Sequence, residues 1–195
     1  MKSALRKLKN NVLSYEAVEV RVRDATCNDT WGAPTSLLAQ IADDSYDRES
    51  YARMFAMLWK RLNDYQHLRH VLKALHLVDY LVRHGAPRFI RDVRARSKAV
   101  ERLQKYRYIK EGADIGGDVR RKATSVLKLL SDDAAIEEAR AGAANVRERF
   151  AGIGGGSGTR ARTRSFRSNS GFERDYNGYR LVKRPWFLFR GLGFW

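Results

Sequence analysis

Only three prolines, Pro34, Pro87 and Pro185, interrupt the chain's 195 residues, and between them apolar side chains recur at spacings of three and four. A proline inside a helix removes a hydrogen bond and clashes with the preceding turn. Their scarcity therefore leaves long segments free to be helical. Met54, Phe55, Leu58, Trp59 and Leu62 make one apolar stripe. Leu68, Val71, Leu72, Leu75, Val78 and Val82 make a second, which Gly85 stops before Pro87 opens the next helix. Phe89, Ile90, Val93, Val100 and Leu103 follow, then Val119, Ala123, Val126, Leu127 and Leu130. Ile136, Ala139, Ala143, Val146 and Phe150 make the last stripe. Each is the one-sided pattern of an amphipathic helix, so the sequence predicts an all-α domain that ends near Phe150.

Other segments are less determined. In Tyr15 to Thr26, Val18, Val20 and Val22 alternate as in a strand, while Val18, Val22 and Ala25 also share a helical face. Asn28 to Pro34 is a turn by composition. Tyr106 to Ile109 is compatible with a short extended link. Lys2 to Leu13 is short and amphipathic, with Leu5, Leu8, Val12 and Leu13 set against Lys2, Arg6, Lys7 and Lys9. Such a segment is an interfacial helix or an arm that folds on binding. Gly152 to Gly158 is a Gly/Ser-rich linker by composition, and Arg160 to Arg167 has the composition of a disordered tail. The expected division is therefore 1–14, 15–150 and 151–195, with no fold assigned to the aromatic end from Pro185 to Trp195.

The formal net charge is +16. Residues 160–195 hold nine basic and two acidic residues, or +7, which leaves +9 on residues 1–159. A chain this basic seeks polyanions: nucleic acid, anionic lipid or acidic protein. Cys27 is the only cysteine, so no disulfide can form within the chain, which suits the cytosol. No stretch approaches the roughly 20 apolar residues of a spanning helix, so contact with a membrane would be from its surface. No acid–base pair, activated nucleophile or metal set is evident, and the chain is not expected to be an enzyme. His67 and His70 stand three apart, a spacing compatible with a metal, but no cysteine or acidic partner is expected to complete a site. Trp31 and Trp59 are expected to be packing residues, with Trp31 pinning its turn to the core.

Several blocks carry a more specific signal. They are Val22-Arg23-Asp24-Ala25-Thr26-Cys27-Asn28-Asp29-Thr30-Trp31-Gly32 and Leu37-Leu38-Ala39-Gln40-Ile41-Ala42. Trp59-Lys60-Arg61-Leu62-Asn63-Asp64 and Arg69-His70-Val71-Leu72-Lys73-Ala74-Leu75 follow, then Tyr80-Leu81 with Gly85, and Val119-Arg120-Arg121-Lys122-Ala123. In this order and spacing, from about Asn10 to Ala141, they resemble epsin N-terminal homology domains. The resemblance implies a superhelix of about eight helices with no sheet, preceded by an amphipathic N-terminal segment, and it makes Tyr15 to Thr26 helical.

The resemblance also implies a function: binding of an inositol-phosphate headgroup, phosphatidylinositol 4,5-bisphosphate being the first choice. The family's headgroup ligands match Arg23, Asn28, Arg61, His70 and Lys73, with Arg69 beside them, and Lys9 and the neighbourhood of Arg6 in the first segment. Leu5, Leu8, Val12 and Leu13 would enter the bilayer as that segment folds. The loop after Asp64 is one residue shorter than in typical epsins, so His67 or Gln66 stands where a lysine is usual. Thr30 replaces the usual proline before Trp31. Arginine supplies bidentate, charge-assisted hydrogen bonds to phosphate, and lysine a compact point charge. Partnership with clathrin and its adaptors, a peripheral place on plasma-membrane or Golgi and endosomal coated membranes, and a monomeric state in solution are implied by family alone. Two alternatives stay open on the residues: a basic nucleic-acid binder, and a superhelical protein-interaction module without lipid selectivity.

Overall fold

A computed structural model describes residues 12–151, the last five of them by backbone alone. Arg6, Lys9, Leu5 and Leu8, and the linker and tail from Gly152 onward, lie outside the described residues. Among those described there are eight helices: α1 Ala17–Ala25, α2 Thr35–Asp44, α3 Arg48–Leu62, α4 Leu68–His84, α5 Pro87–Ala95, α6 Ser97–Leu103, α7 Gly117–Ser131 and α8 Asp133–Ala151.

Local chemistry sets the boundaries. Glu16 and Glu19 form a reciprocal capping box at the start of α1. The Asp47 carboxylate accepts from the Ser50 N–H at 2.7 Å at the start of α3. Gly85 ends α4 and Pro87 stands at the first position of α5. A Cβ on Gly85 would sit 2.6 Å from the Leu81 carbonyl oxygen, so glycine is needed there for close approach.

Tyr15 to Thr26 is helical, because Val18, Val22 and Ala25 bury together while Val20 is only half-buried. The alternation of valines is thus incidental to burial. One expectation is corrected. The link after Tyr106 contains a minimal sheet, Ile109–Lys110 paired antiparallel with Ala113–Asp114. Glu111 and Gly112 turn it with positive φ, and the Asp114 carboxylate accepts from the N–H groups of Tyr108 and Gly116.

α4 is the axle of the domain. It packs against α2, α3, α5, α7 and α8. Leu77 through Val82 are buried without a break, so its second half is enclosed on all sides. Its first half is enclosed on one side only: Val71, Ala74 and Leu75 are buried, while Arg69 is exposed. The run from Leu77 to Val82 contains one charge, Asp79, whose carboxylate accepts from Lys122 of α7 at 2.9 Å and from Arg83 at 3.2 Å. Arg140 of α8 ties down the C-terminal end by donating to the carbonyls of Val82 at 2.7 Å and Gly85 at 2.9 Å.

Removing one member of a buried pair leaves the other charge uncompensated. Asp79→Ala is therefore expected to lower the unfolding free energy by roughly 3–5 kcal/mol. A urea titration would show this as a lower midpoint at unchanged slope.

Candidate anion-binding site

Three elements converge at the half-open end of α4. The C-terminal half of α1 supplies Arg23, and the loop after it supplies Cys27 and Asn28. The last turn of α3 supplies Arg61, and the following loop supplies Asp64 and His67. The first two turns of α4 supply Arg69, His70 and Lys73. Tyr106, after α6, fixes the α3–α4 loop from outside by donating its hydroxyl to the Tyr65 carbonyl at 2.7 Å. Burial, first, and the neighbouring Tyr108 and Asp64 raise the pKa of that hydroxyl to about 12, so it stays a donor.

The cations fall into two groups. In the first, Arg23 is only 7% exposed and its guanidinium lies 4.5 Å from the centre of the Tyr15 ring. The Lys60 ammonium donates to the Tyr15 hydroxyl at 3.2 Å. The Arg61 side chain is 12% exposed, and its Nη1 lies 3.0 Å from His70 Nδ1 and 4.0 Å from Asp64 Oδ2. Its buried Nε has no hydrogen-bond partner among the described residues. Burial lowers the Arg61 pKa, and the charge of Arg23 lowers it further. Two guanidinium groups thus repel each other where water screens them little.

In the second group, exposed Arg69 donates to the Asn28 carbonyl at 3.2 Å. The Lys73 ammonium lies 3.8 Å from Cys27 Sγ, whose thiol is 3.0 Å from the Asp29 carboxylate. Burial lowers the Lys73 pKa, opposed by Cys27 and Asp29. Both groups sit at the N-terminus of α4, which has no acidic residue in its first turn. Unpaired N–H groups there add positive potential rather than cancel it.

The structure therefore brings together every described residue expected at the headgroup site: Arg23, Asn28, Arg61, Arg69, His70 and Lys73. Val12 and Leu13, two of the four expected membrane residues, are 74% and 47% exposed just before Tyr15. One expectation about the tryptophans is corrected. Trp31 does not pin its turn to the core; it is 69% exposed. Trp59 does pack, stacked 5.1 Å from Phe55.

His67 and His70 also have the acidic partner that was not expected. Asp64 Oδ1 lies 2.9 Å from His67 Nδ1, and Oδ2 lies 2.8 Å from His70 Nδ1. The three form a cluster with metal-ligand chemistry. However, the Arg61 guanidinium faces the same His70 nitrogen at 3.0 Å, and a fixed cation there opposes a second one. The carboxylate is better described as the orienting group for two stacked imidazoles, their centres 4.7 Å apart. Its spacing, three and six residues ahead of the histidines, was the available signal.

The ENTH domain pattern matches residues 15–136. The chain is similar to human epsin-3, at 42% identity over 161 residues, 80% of this chain and 26% of epsin-3. It is similar to the ENTH domain of epsin-2 solved in complex with phosphatidylinositol 4,5-bisphosphate: TM-score 0.65, 36% identity, covering 69% of this chain and 96% of that one. A cryo-EM structure of helical ANTH and ENTH tubules on membranes containing that lipid contains a chain similar at TM-score 0.65 and 36% identity, covering 76% and 98%. The chain spans about a quarter of the length of the curated relatives it matches.

Burial lowers the His70 pKa, and the hydrogen bond its imidazole donates to the Asp64 carboxylate partly opposes it. Asp64→Asn removes the opposing charge, so the His70 imidazole is expected to titrate at still lower pH. NMR titration of its ring protons would read the shift, and an upward movement would contradict this electrostatic picture.

Proposed function

This chain belongs to the ENTH domain family, and from that premise we propose that it is a peripheral membrane adaptor module for clathrin-linked vesicle formation. It holds a phosphoinositide headgroup, phosphatidylinositol 4,5-bisphosphate by first choice, at the N-terminal end of α4. The observation that carries the reading is the recessed pair Arg23 and Arg61. Two guanidinium groups are drawn together out of solvent, one with an orphaned Nε, and Asp64 stands 4.0 Å from Arg61. The buried Arg61 Nε is a donor with no acceptor among the described residues. A bisphosphorylated ring supplies several anionic oxygens in a small volume, and guanidinium groups meet them bidentately.

The remaining roles are supported by placement for the described residues and by family membership for the first segment. Arg69, His70 and Lys73 face the headgroup from α4, and the Asn28 loop closes the near side. Lys9 and Arg6 approach from the first segment, and Leu5, Leu8, Val12 and Leu13 enter the acyl boundary as that segment folds. A segment this short is marginal as a helix in water, so burial of its apolar face offsets the cost of ordering. No helix among the described residues is long and apolar enough to cross a membrane, consistent with attachment from one side. Clathrin and adaptor partners rest on family membership.

Two outcomes are expected. In sedimentation with vesicles of matched charge, the chain prefers those containing the bisphosphate. The Arg61→Ala, Lys73→Ala double variant loses roughly 30-fold, since each cation near an anionic surface contributes about 1 kcal/mol. Equal binding to any anionic vesicle, indifferent to the variant, would reduce the site to nonspecific adhesion. Separately, Leu5→Glu should keep binding to the soluble headgroup while abolishing vesicle tubulation, scored by electron microscopy.

A further inference from the structure

We infer that Trp31 is a second bilayer contact, an interfacial anchor on the α1–α2 loop that acts independently of the N-terminal segment. The inference rests on the membrane reading above but not on which lipid is selected. Tryptophan is a large apolar ring with a polar N–H, and it is usually highly buried. Trp31 is 69% exposed, and Gly32 beside it has open space on every side where a Cβ would stand. Among the described residues, the other exposed large rings, Tyr46 and Tyr65, are engaged. Tyr46 donates its hydroxyl to the Gly85 carbonyl at 3.2 Å, and Tyr65 stacks on Tyr106 with centres 6.1 Å apart. Among the described residues, no stacking or hydrogen-bond partner is found for the Trp31 indole.

Its location gives the exposure a meaning. Asn28, three residues earlier, accepts from Arg69, and Cys27 lies 3.8 Å from the Lys73 ammonium. The loop that presents Trp31 is therefore fastened to the cationic end of α4. At the other end of α1, Val12 and Leu13 are 74% and 47% exposed, just ahead in sequence of Tyr15, whose ring lies under Arg23. Apolar groups thus stand on both chain approaches to one positive patch. A soluble acidic partner would be met by the cations alone. An anionic bilayer offers both phosphate charge and, a few ångströms deeper, an apolar boundary where amphipathic rings partition. A ring held on a fastened loop enters that boundary without first having to fold.

The test compares the full chain with Trp31→Ala and Trp31→Phe. Three measurements are needed: sedimentation with bisphosphate vesicles and with phosphatidylserine vesicles of equal charge, calorimetry with soluble inositol 1,4,5-trisphosphate, and thermal melting. Trp31→Ala should weaken binding to both vesicle types by roughly tenfold, the size expected for partial burial of one large ring. Trp31→Phe should lose much less, and headgroup affinity and melting should not change. Brominated lipids should quench a fraction of the tryptophan emission that Trp31→Phe lacks. The effect should persist in a Leu5→Glu background. Unchanged vesicle binding by Trp31→Ala would overturn the inference. So would an equal loss toward the soluble headgroup, which would place the ring's action in the site rather than the bilayer. Failure of the phosphoinositide reading is distinguishable: wild type would bind both vesicle types alike, while the Trp31 effect remained.

Discussion

The enclosure of α4 is the constraint on which the rest depends. Leu77 through Val82 are buried on every side of the helix, so the other helices must wrap it, and a superhelical stack is the result. The one charge in that run, Asp79, is acceptable because Lys122 and Arg83 meet it. The same wrapping stops short of the first turns, where Arg69, His70 and Lys73 emerge. Core and site are two ends of one helix, and rigidity at the enclosed end positions the cations at the open one.

That open end is assembled against local preference. An α-helix favours acidic side chains near its N-terminus, yet the first turn of α4 has none and carries Arg69 and His70. Arg61, drawn partly from water beside Arg23, adds a further cost that shows in its lowered pKa. The Asp64 carboxylate, 4.0 Å from Arg61, offsets part of this cost. Burial works against ionisation of Asp64, but hydrogen bonds from His70 and His67 outweigh it and hold its pKa below the ordinary value. An anion entering the site would relieve the remaining repulsion between Arg23 and Arg61.

Most of the helical frame was legible because each helix buries one stripe, and a stripe is visible at spacings of three and four. Tyr15 to Thr26 was not, since Val18 and Val22 satisfy both a strand and a helix, and only packing against α2 and α3 decides. The expected cationic residues were legible through family resemblance, whereas their charges alone fit any solvated face. The Tyr106 hydroxyl on the Tyr65 carbonyl spans 41 residues and leaves no trace in a local pattern. Trp31 misled because tryptophan is usually inside, and nothing in the turn's composition says whether the chain folds it inward.

The depth of the cations also weighs between the polyanions that net charge leaves open. Binding to nucleic-acid backbone draws on many exposed lysines and arginines spread along a surface, and its affinity falls steeply with salt. Exposed cations of that kind exist here, among them Arg91 and Arg121, whose side chains are 80% and 77% exposed. Arg23 and the side chain of Arg61 are different: 7% and 12% exposed, with the Asp64 carboxylate 4.0 Å from Arg61. A polymer backbone gains little from groups it cannot lie across. A compact, multiply charged headgroup on a lipid can be received end-on, and recessed charges are screened less by salt than exposed ones. The cost of withdrawing these groups from water is therefore better matched to a small anion than to an extended one.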